Sequence, residues 1–186
     1  PAKPGEPVLE VENLTVPSQL HKNDAVKGVS FTARRGEIVC IAGIDGNGQS
    51  ELVYALTGLE KASGGKITLL GKDITHASIR QRSFAGMSHI PEDRHKHGLV
   101  LDYTLEQNLV LQRYYEPQFQ HGGFIRFDEV RKYADKLIEE YDIRSGQGPV
   151  TIARSMSGGN QQKAIVAREI DRELPLIVAV QPTRGL

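Results

Sequence analysis

Tryptophan is absent from this chain, cysteine occurs once, and no apolar run approaches the length of a bilayer. The lone thiol, Cys40, can close no internal disulfide and build no zinc cluster, which favours a reducing compartment and predicts that Cys40 fills core. The longest apolar stretches, "IVCIAGI" and "PLIVAV", are far shorter than the ~20 residues a membrane-spanning helix needs. An excess of either charge is missing as well. The 23 basic and 23 acidic residues cancel, so no overall field pulls the chain onto nucleic acid. The opening "PAKPGEP" lacks a charged segment leading into an apolar one and reads as a linker, residues 1–7, not a signal peptide.

With 186 residues, 39% of them hydrophobic, the chain can bury the core of one domain with room for a subdomain. Alternation in "VLEVENLTV" predicts a strand over 8–16, and "GVSFTARRGEIVCIAG" holds two strand-like runs around the turn Arg35-Gly36. The second run, "EIVCIAG", is apolar throughout, the pattern of a strand covered on both faces. Leu52, Ala55, Leu56 and Leu59 share one helical face, which predicts a helix starting near Ser50. "GGKITLLGKDI" reads as turn, strand and turn. After Pro91 come polar loops and amphipathic helices. "FDEVRKYADKLIEEYDI" predicts a helix with Asp128 as N-cap and a core-packing stripe of Val130, Tyr133, Leu137 and Tyr141. "SMSGGNQQKAIVAREI" opens a further helix after its glycines, and "PLIVAV" predicts a second buried strand. The order gives a strand-loop-helix core over 8–91 and 163–186, interrupted by a helical insert over 92–162.

"GIDGNGQS", residues 43–50, lies between the apolar run and the first helix. Its Gly43, Gly48 and Ser50 have the spacing of a phosphate-binding loop, in which successive backbone N–H groups and a helix N-terminus surround a phosphate. Glycine serves where the backbone turns with positive φ or approaches the ligand closely, and Gly43, Gly46 and Gly48 supply that. A plain strand-to-helix turn is the alternative. Gln49 stands where the pattern has lysine. A lysine contact to phosphate is worth roughly 1.5–3 kcal/mol and a neutral amide about 0.5–1.5, so binding should weaken without vanishing. Ser50 keeps a hydroxyl that could touch magnesium.

The second motif is "SGGNQQK", Ser157 to Lys163. A capped helix start explains a serine and a glycine but not the whole string. "SMSGGNQQKAIVARE" resembles the signature sequence of ABC-type ATPases. Together with "GNGQSEL", "PEDRHKHGLVLD" and "QPTRGL", the resemblance spans nearly the whole chain and looks like the second nucleotide-binding domain of the tandem ATPase subunit in bacterial sugar and nucleoside importers. The glutamine loop and the "QPTRG" ending lean toward the nucleoside branch. The resemblance implies an α/β fold: a P-loop NTPase (RecA-like) core of ABC ATPase type with an antiparallel β portion and a helical subdomain, C-terminally truncated at Leu186. It also implies ATP and Mg2+ as cofactors. Gly43, Asp45, Gly46, Asn47, Gly48, Gln49, Ser50 and Glu51 would hold nucleotide in the chain's own loop, Ser50 reaching the metal. In this family two domains pair head to tail, so Ser157, Gly158, Gly159, Asn160 and Gln161 would grip the γ-phosphate in a partner's site.

The same resemblance exposes departures. The family's strand ends in Asp-Glu, the aspartate helping to hold magnesium and the glutamate polarising water; here Val180 and Gln181 stand there. Valine holds no metal water shell, and glutamine orients water without accepting its proton. The family's glutamine at the entry to the helical insert appears as Glu92, a carboxylate that repels a triphosphate unless a cation or Arg94 intervenes. Alternatively Glu92, Asp93 and Arg94 form a surface cluster. His21 is the nearest candidate for the adenine-stacking position. Gln49, Glu92, Val180 and Gln181 all belong to the site the chain builds with its own loop, whereas Ser157 through Gln162 serve a partner. The expectation is therefore the degenerate half of an asymmetric pair, with Gln181 and Glu92 as the remaining catalytic candidates. Implied partners are the first nucleotide-binding domain of the same subunit, transmembrane permease subunits and, indirectly, a periplasmic or lipoprotein solute-binding protein, with no nucleic acid. The implied location is cytoplasmic, peripheral on the inner face of the membrane. Two rivals remain: an independently active ATPase using Glu92 or Asp93 as base, and a non-transport ABC protein of DNA repair or translation.

Overall fold

Strand β1 (Pro7–Pro17) turns Leu9 and Val11 inward and then Leu14 and Val16, two pairs that differ in phase. A bulge between Val11 and Leu14, with Asn13 at φ 48°, inserts the residue that returns the second pair to the core. The computed structural model describes residues 3–19, 22–44 and 46–186. They form two units, Pro1–Ser88 with Leu174–Val178, and His89–Glu173 with Ala179–Leu186.

In the first unit β1 pairs antiparallel with β2 (Asp24–Arg34) on one side and β3 (Gly64–Leu69) on the other; β4 (Lys72–Asp73) completes the order β2-β1-β3-β4. Helix α1 (Gln49–Thr57) buries Leu52, Ala55 and Leu56 in the same core as the β1 residues. Its C-terminal carbonyls are satisfied by Arg82 of α2 (Ile79–Ala85), which donates from Nη1 to Ala55 and Leu56, at 3.2 and 2.8 Å. Two further bonds go to the Thr75 and Ala77 carbonyls, so a cation that is 3% exposed is fully engaged by backbone oxygens.

One predicted strand is absent. Residues 37–44 are unpaired, with Ile38 96% and Ile44 76% exposed and Ile41 and Cys40 also exposed. No neighbouring strand covers the run among the described residues, and Cys40 does not fill core.

Strand β5 (Met87–Ile90) pairs with β8 (Leu176–Ala179). The expected burial of "PLIVAV" on both faces is not found: β8 alternates, and Ile177 is 42% exposed. The helical part of the second unit comprises α3 (Leu105–Leu109), α4 (Phe127–Glu140) and α5 (Gly158–Ile170), with the hairpin β6 (Gln120–His121) and β7 (Phe124–Ile125) before α4. Val130, Tyr133 and Leu137 pack with Leu105, Leu109, Phe119 and Ala164, as the predicted stripe requires, while Tyr141 is only partly buried. The N-cap of α4 is Arg126, without a side-chain cap bond, and Asp128 sits in the first turn instead. A carboxylate there still favours the helix through its dipole. Among the described residues no helix is long and apolar enough to cross a membrane.

Candidate functional site

In the loop 43–50, Asp45 lies outside the described residues, as does His21. Gly48 caps α1 at φ 90°, and a Cβ there would strike the Ala25 carbonyl of β2. Both demands favour glycine over any other residue at the entry to the first turn of α1, Gln49, Ser50 and Glu51. Gly46 and Asn47 are exposed; Ser50 and Glu51 are half-buried. Gln49 does not point outward. Its Nε2 donates to the Ile44 carbonyl at 3.1 Å and covers Gly43 so closely that a Cβ at 43 would collide with it. The side chain that replaces lysine therefore braces its own loop. Ser50 has an interaction of its own, and among the described residues no group of three His, Cys, Asp or Glu could hold a metal ion.

The second motif lies in the second unit. Ser157 is the N-cap of α5, exposed, its hydroxyl accepting from the Asn160 backbone N–H at 3.4 Å and from Asn160 Nδ2 at 2.9 Å. The remaining polar side chains of the motif are committed inside the unit. Asn160 Oδ1 accepts from the Arg144 N–H, buried Gln161 donates to the Ala153 carbonyl, and Gln162 donates to the Pro182 carbonyl. Lys163 donates to the Asp142 carbonyl and carboxylate. Ser157 is exposed and the two glycines that follow it are half-buried, at a helix N-terminus of the kind suited to an anion.

Around this helix end the fold gathers Arg94, whose Nη1 donates to the Gly158 carbonyl, and the Pro182–Gly185 segment. Sequence reading missed this assembly, because Arg94 and Gly185 are far from the motif along the chain. Gln181 is exposed at the end of β8, at φ 45°. Asp93 is a cap: its Oδ1 accepts from the His95 and Lys96 N–H groups, both at 2.9 Å. Those backbone bonds, that from Lys96 above all, hold its carboxyl below the usual carboxylate range, which unfits it as a general base. Glu92 is half-buried and has an interaction of its own.

Comparison with known proteins follows the same lines. Residues 26–184 match the protein family described as ABC transporter. The chain is 49% identical over 185 residues to the nucleoside import ATP-binding protein NupA of Lactococcus lactis, covering 100% of this chain and 36% of that protein. It is equally similar to the guanosine import ATP-binding protein NupO of Bacillus subtilis, again with 100% and 36% covered. The glucose import ATP-binding protein TsgD13 of Haloferax volcanii is 42% identical, with 98% of this chain and 33% of that protein covered. The chain thus spans about a third of the length of these relatives. Among solved structures, a dimeric ATP-binding cassette in a post-hydrolysis state, bound to ADP and Pi, superposes with a TM-score of 0.78 at 22% identity, over 96% of this chain and 75% of that one. That likeness establishes the fold as the P-loop cassette type.

Proposed function

Because the chain belongs to the ABC transporter family, we propose that it is a nucleotide-binding part of an importer ATPase for nucleosides or sugars, and specifically the second, degenerate domain of the subunit. In this reading its loop 43–50 binds ATP weakly, its own hydrolytic site is inactive, and its Ser157 helix end completes the site of the first domain. ATP supplies the γ-phosphate that this end grips. Closure of the two domains on nucleotide then shifts the transmembrane permease subunits between conformations, with a solute-binding protein acting on those subunits, at the cytoplasmic face of the membrane.

The observation that carries the reading is the exposure of Ser157 at the N-terminus of α5 while Gln161, Gln162 and Lys163 are held from within. A helix end that is fixed internally and open outward is suited to being lent to another molecule. The brace formed by Gln49, and Val180 with Gln181 in place of an acidic pair, support inactivity of the chain's own site. The rival that recruits Asp93 as base is disfavoured by its capping role.

The test compares ATP turnover of the chain alone with that of the chain joined to its partner cassette. Turnover confined to the pair, lost on combining Ser157→Ala with Gly158→Asp and insensitive to Gln181→Ala, supports the proposal. Strong turnover by the chain alone that falls on Gln181→Ala would sink it.

A further inference from the structure

The structure assigns Arg94 a positioning role at the signature turn, an inference that rests on the proposed lending of that turn to a partner's nucleotide. Arg94 heads the π-helical turn Arg94–Gly98 and lays its guanidinium on Gly158. Its Nη1 donates to the Gly158 carbonyl at 3.0 Å, and a Cβ on Gly158 would come within 2.8 Å of Nη2 and 3.2 Å of Cζ. One residue on, His95 Nε2 lies 2.9 Å from Gln161 Oε1, so consecutive side chains grip the first turn of α5. Asp93 anchors that grip by capping the turn beneath it. From the other side the Gly185 carbonyl would lie 2.6 Å from a Cβ on Gly159. Gly159 is thus demanded by the backbone opposite it, while at Gly158 the absent side chain leaves the Arg94 guanidinium room to lie against the turn.

The charge is as informative as the contact. A helix N-terminus carries roughly half a positive charge, so a cation beside it is ordinarily unfavourable. Among the described residues no carboxylate lies within ion-pair distance of Arg94. A cation stationed on a positive helix end outside any ion pair breaks a local rule, and such breaks concentrate at functional sites. It raises the potential where the γ-phosphate of a partner's ATP would sit and holds the turn that receives it.

The experiment uses the full-length protein assembled with its partner cassette, and measures steady-state ATP hydrolysis and thermal unfolding for Arg94→Gln, Arg94→Lys, Ser157→Ala and the double variant of Arg94→Gln with Ser157→Ala. Positioning predicts that Arg94→Gln lowers kcat on the order of tenfold with KM and Tm close to wild type, that Arg94→Lys recovers part of the loss, and that the double variant is within about twofold of Ser157→Ala alone. An unchanged kcat in Arg94→Gln, with turnover lost in Ser157→Ala, overturns the role of Arg94 and leaves the lending of the signature intact. Unchanged turnover in both overturns the lending itself and this inference with it. A lowered Tm with losses that multiply in the double variant makes Arg94 a fold support and also overturns it.

Discussion

Among single residues, Glu169 carries the heaviest structural demand. It is 0% exposed, accepts from Arg168 Nε at 2.9 Å and from Arg172 and Gln112, while Arg168, 1% exposed, also donates to the Asn108 carbonyl. Removing one member of a buried ion pair leaves the other charge uncompensated, so Glu169→Ala is expected to lower stability by about 3–5 kcal/mol, read from urea unfolding. Replacement by Gln should cost less, since an amide can still accept from Arg168. His89 gives a pH dependence. Burial of its ring pushes its pKa from 6.5 to about 4, with the Glu169 carboxylate opposing the shift and His97 and Arg168 adding to it. Its Nε2 is buried without a hydrogen-bond partner. The unfolded chain therefore binds more protons than the folded one between these two values, and stability present above pH 6.5 is lost as pH falls toward 4, by roughly 3 kcal/mol at most. The midpoint of urea unfolding should fall over that interval, and His89→Gln should flatten the curve; an identical slope in that variant would place the pH dependence elsewhere. At this scale the sequence reveals what a residue can do and conceals what it meets. Ser157 was legible as a cap because its partner, Asn160, is three residues away. Arg94 and Gly158 are 64 residues apart along the chain, and nothing local announces their contact.

Elements were legible in proportion to how local their determinants are. β1 and α1 announce themselves through alternation and helical spacing, and the cap of α5 through Ser157. The capping boxes of α2, Ser78 with Gln81, and of α3, Thr104 with Gln107, are equally local, written in a three-residue spacing. The start of α4 was misplaced by two residues because an acidic residue in a first turn and an acidic N-cap look alike in sequence. The end of α1 shows a determinant that no local pattern carries: Arg82, 26 residues beyond Leu56, holds its last carbonyls. Arg82→Met keeps the apolar stem but strips four donors from buried carbonyls. The expected loss is about 2–4 kcal/mol in urea unfolding, because buried carbonyls left without partners carry their full desolvation penalty. If Arg82→Met unfolds at the wild-type midpoint, water replaces those donors and the carbonyls are not truly buried.

For the whole molecule the decisive mismatch is the apolar run 37–44. Continuous apolarity argues for a strand sandwiched by neighbours, and the described residues offer none, so Ile38, Val39, Ile41 and Ile44 face outward beside the loop 43–50. An apolar run shows what a strand would need and not which strands lie beside it, since strand pairing is set by topology and not by the run itself. An uncovered extended stretch rich in isoleucine and valine is a template for pairing with a second copy. The chain by itself should therefore associate as its concentration rises, seen by sedimentation velocity. Ile38→Lys and Ile44→Lys should each reduce that association while leaving the unfolding midpoint unchanged, because neither side chain is buried and neither contributes to the core of its unit. If both variants instead lose stability, the run is packed in solution. If association persists in both, the sticky surface lies elsewhere, and the exposed Phe124 of the β6-β7 hairpin, at 81%, is the next to replace.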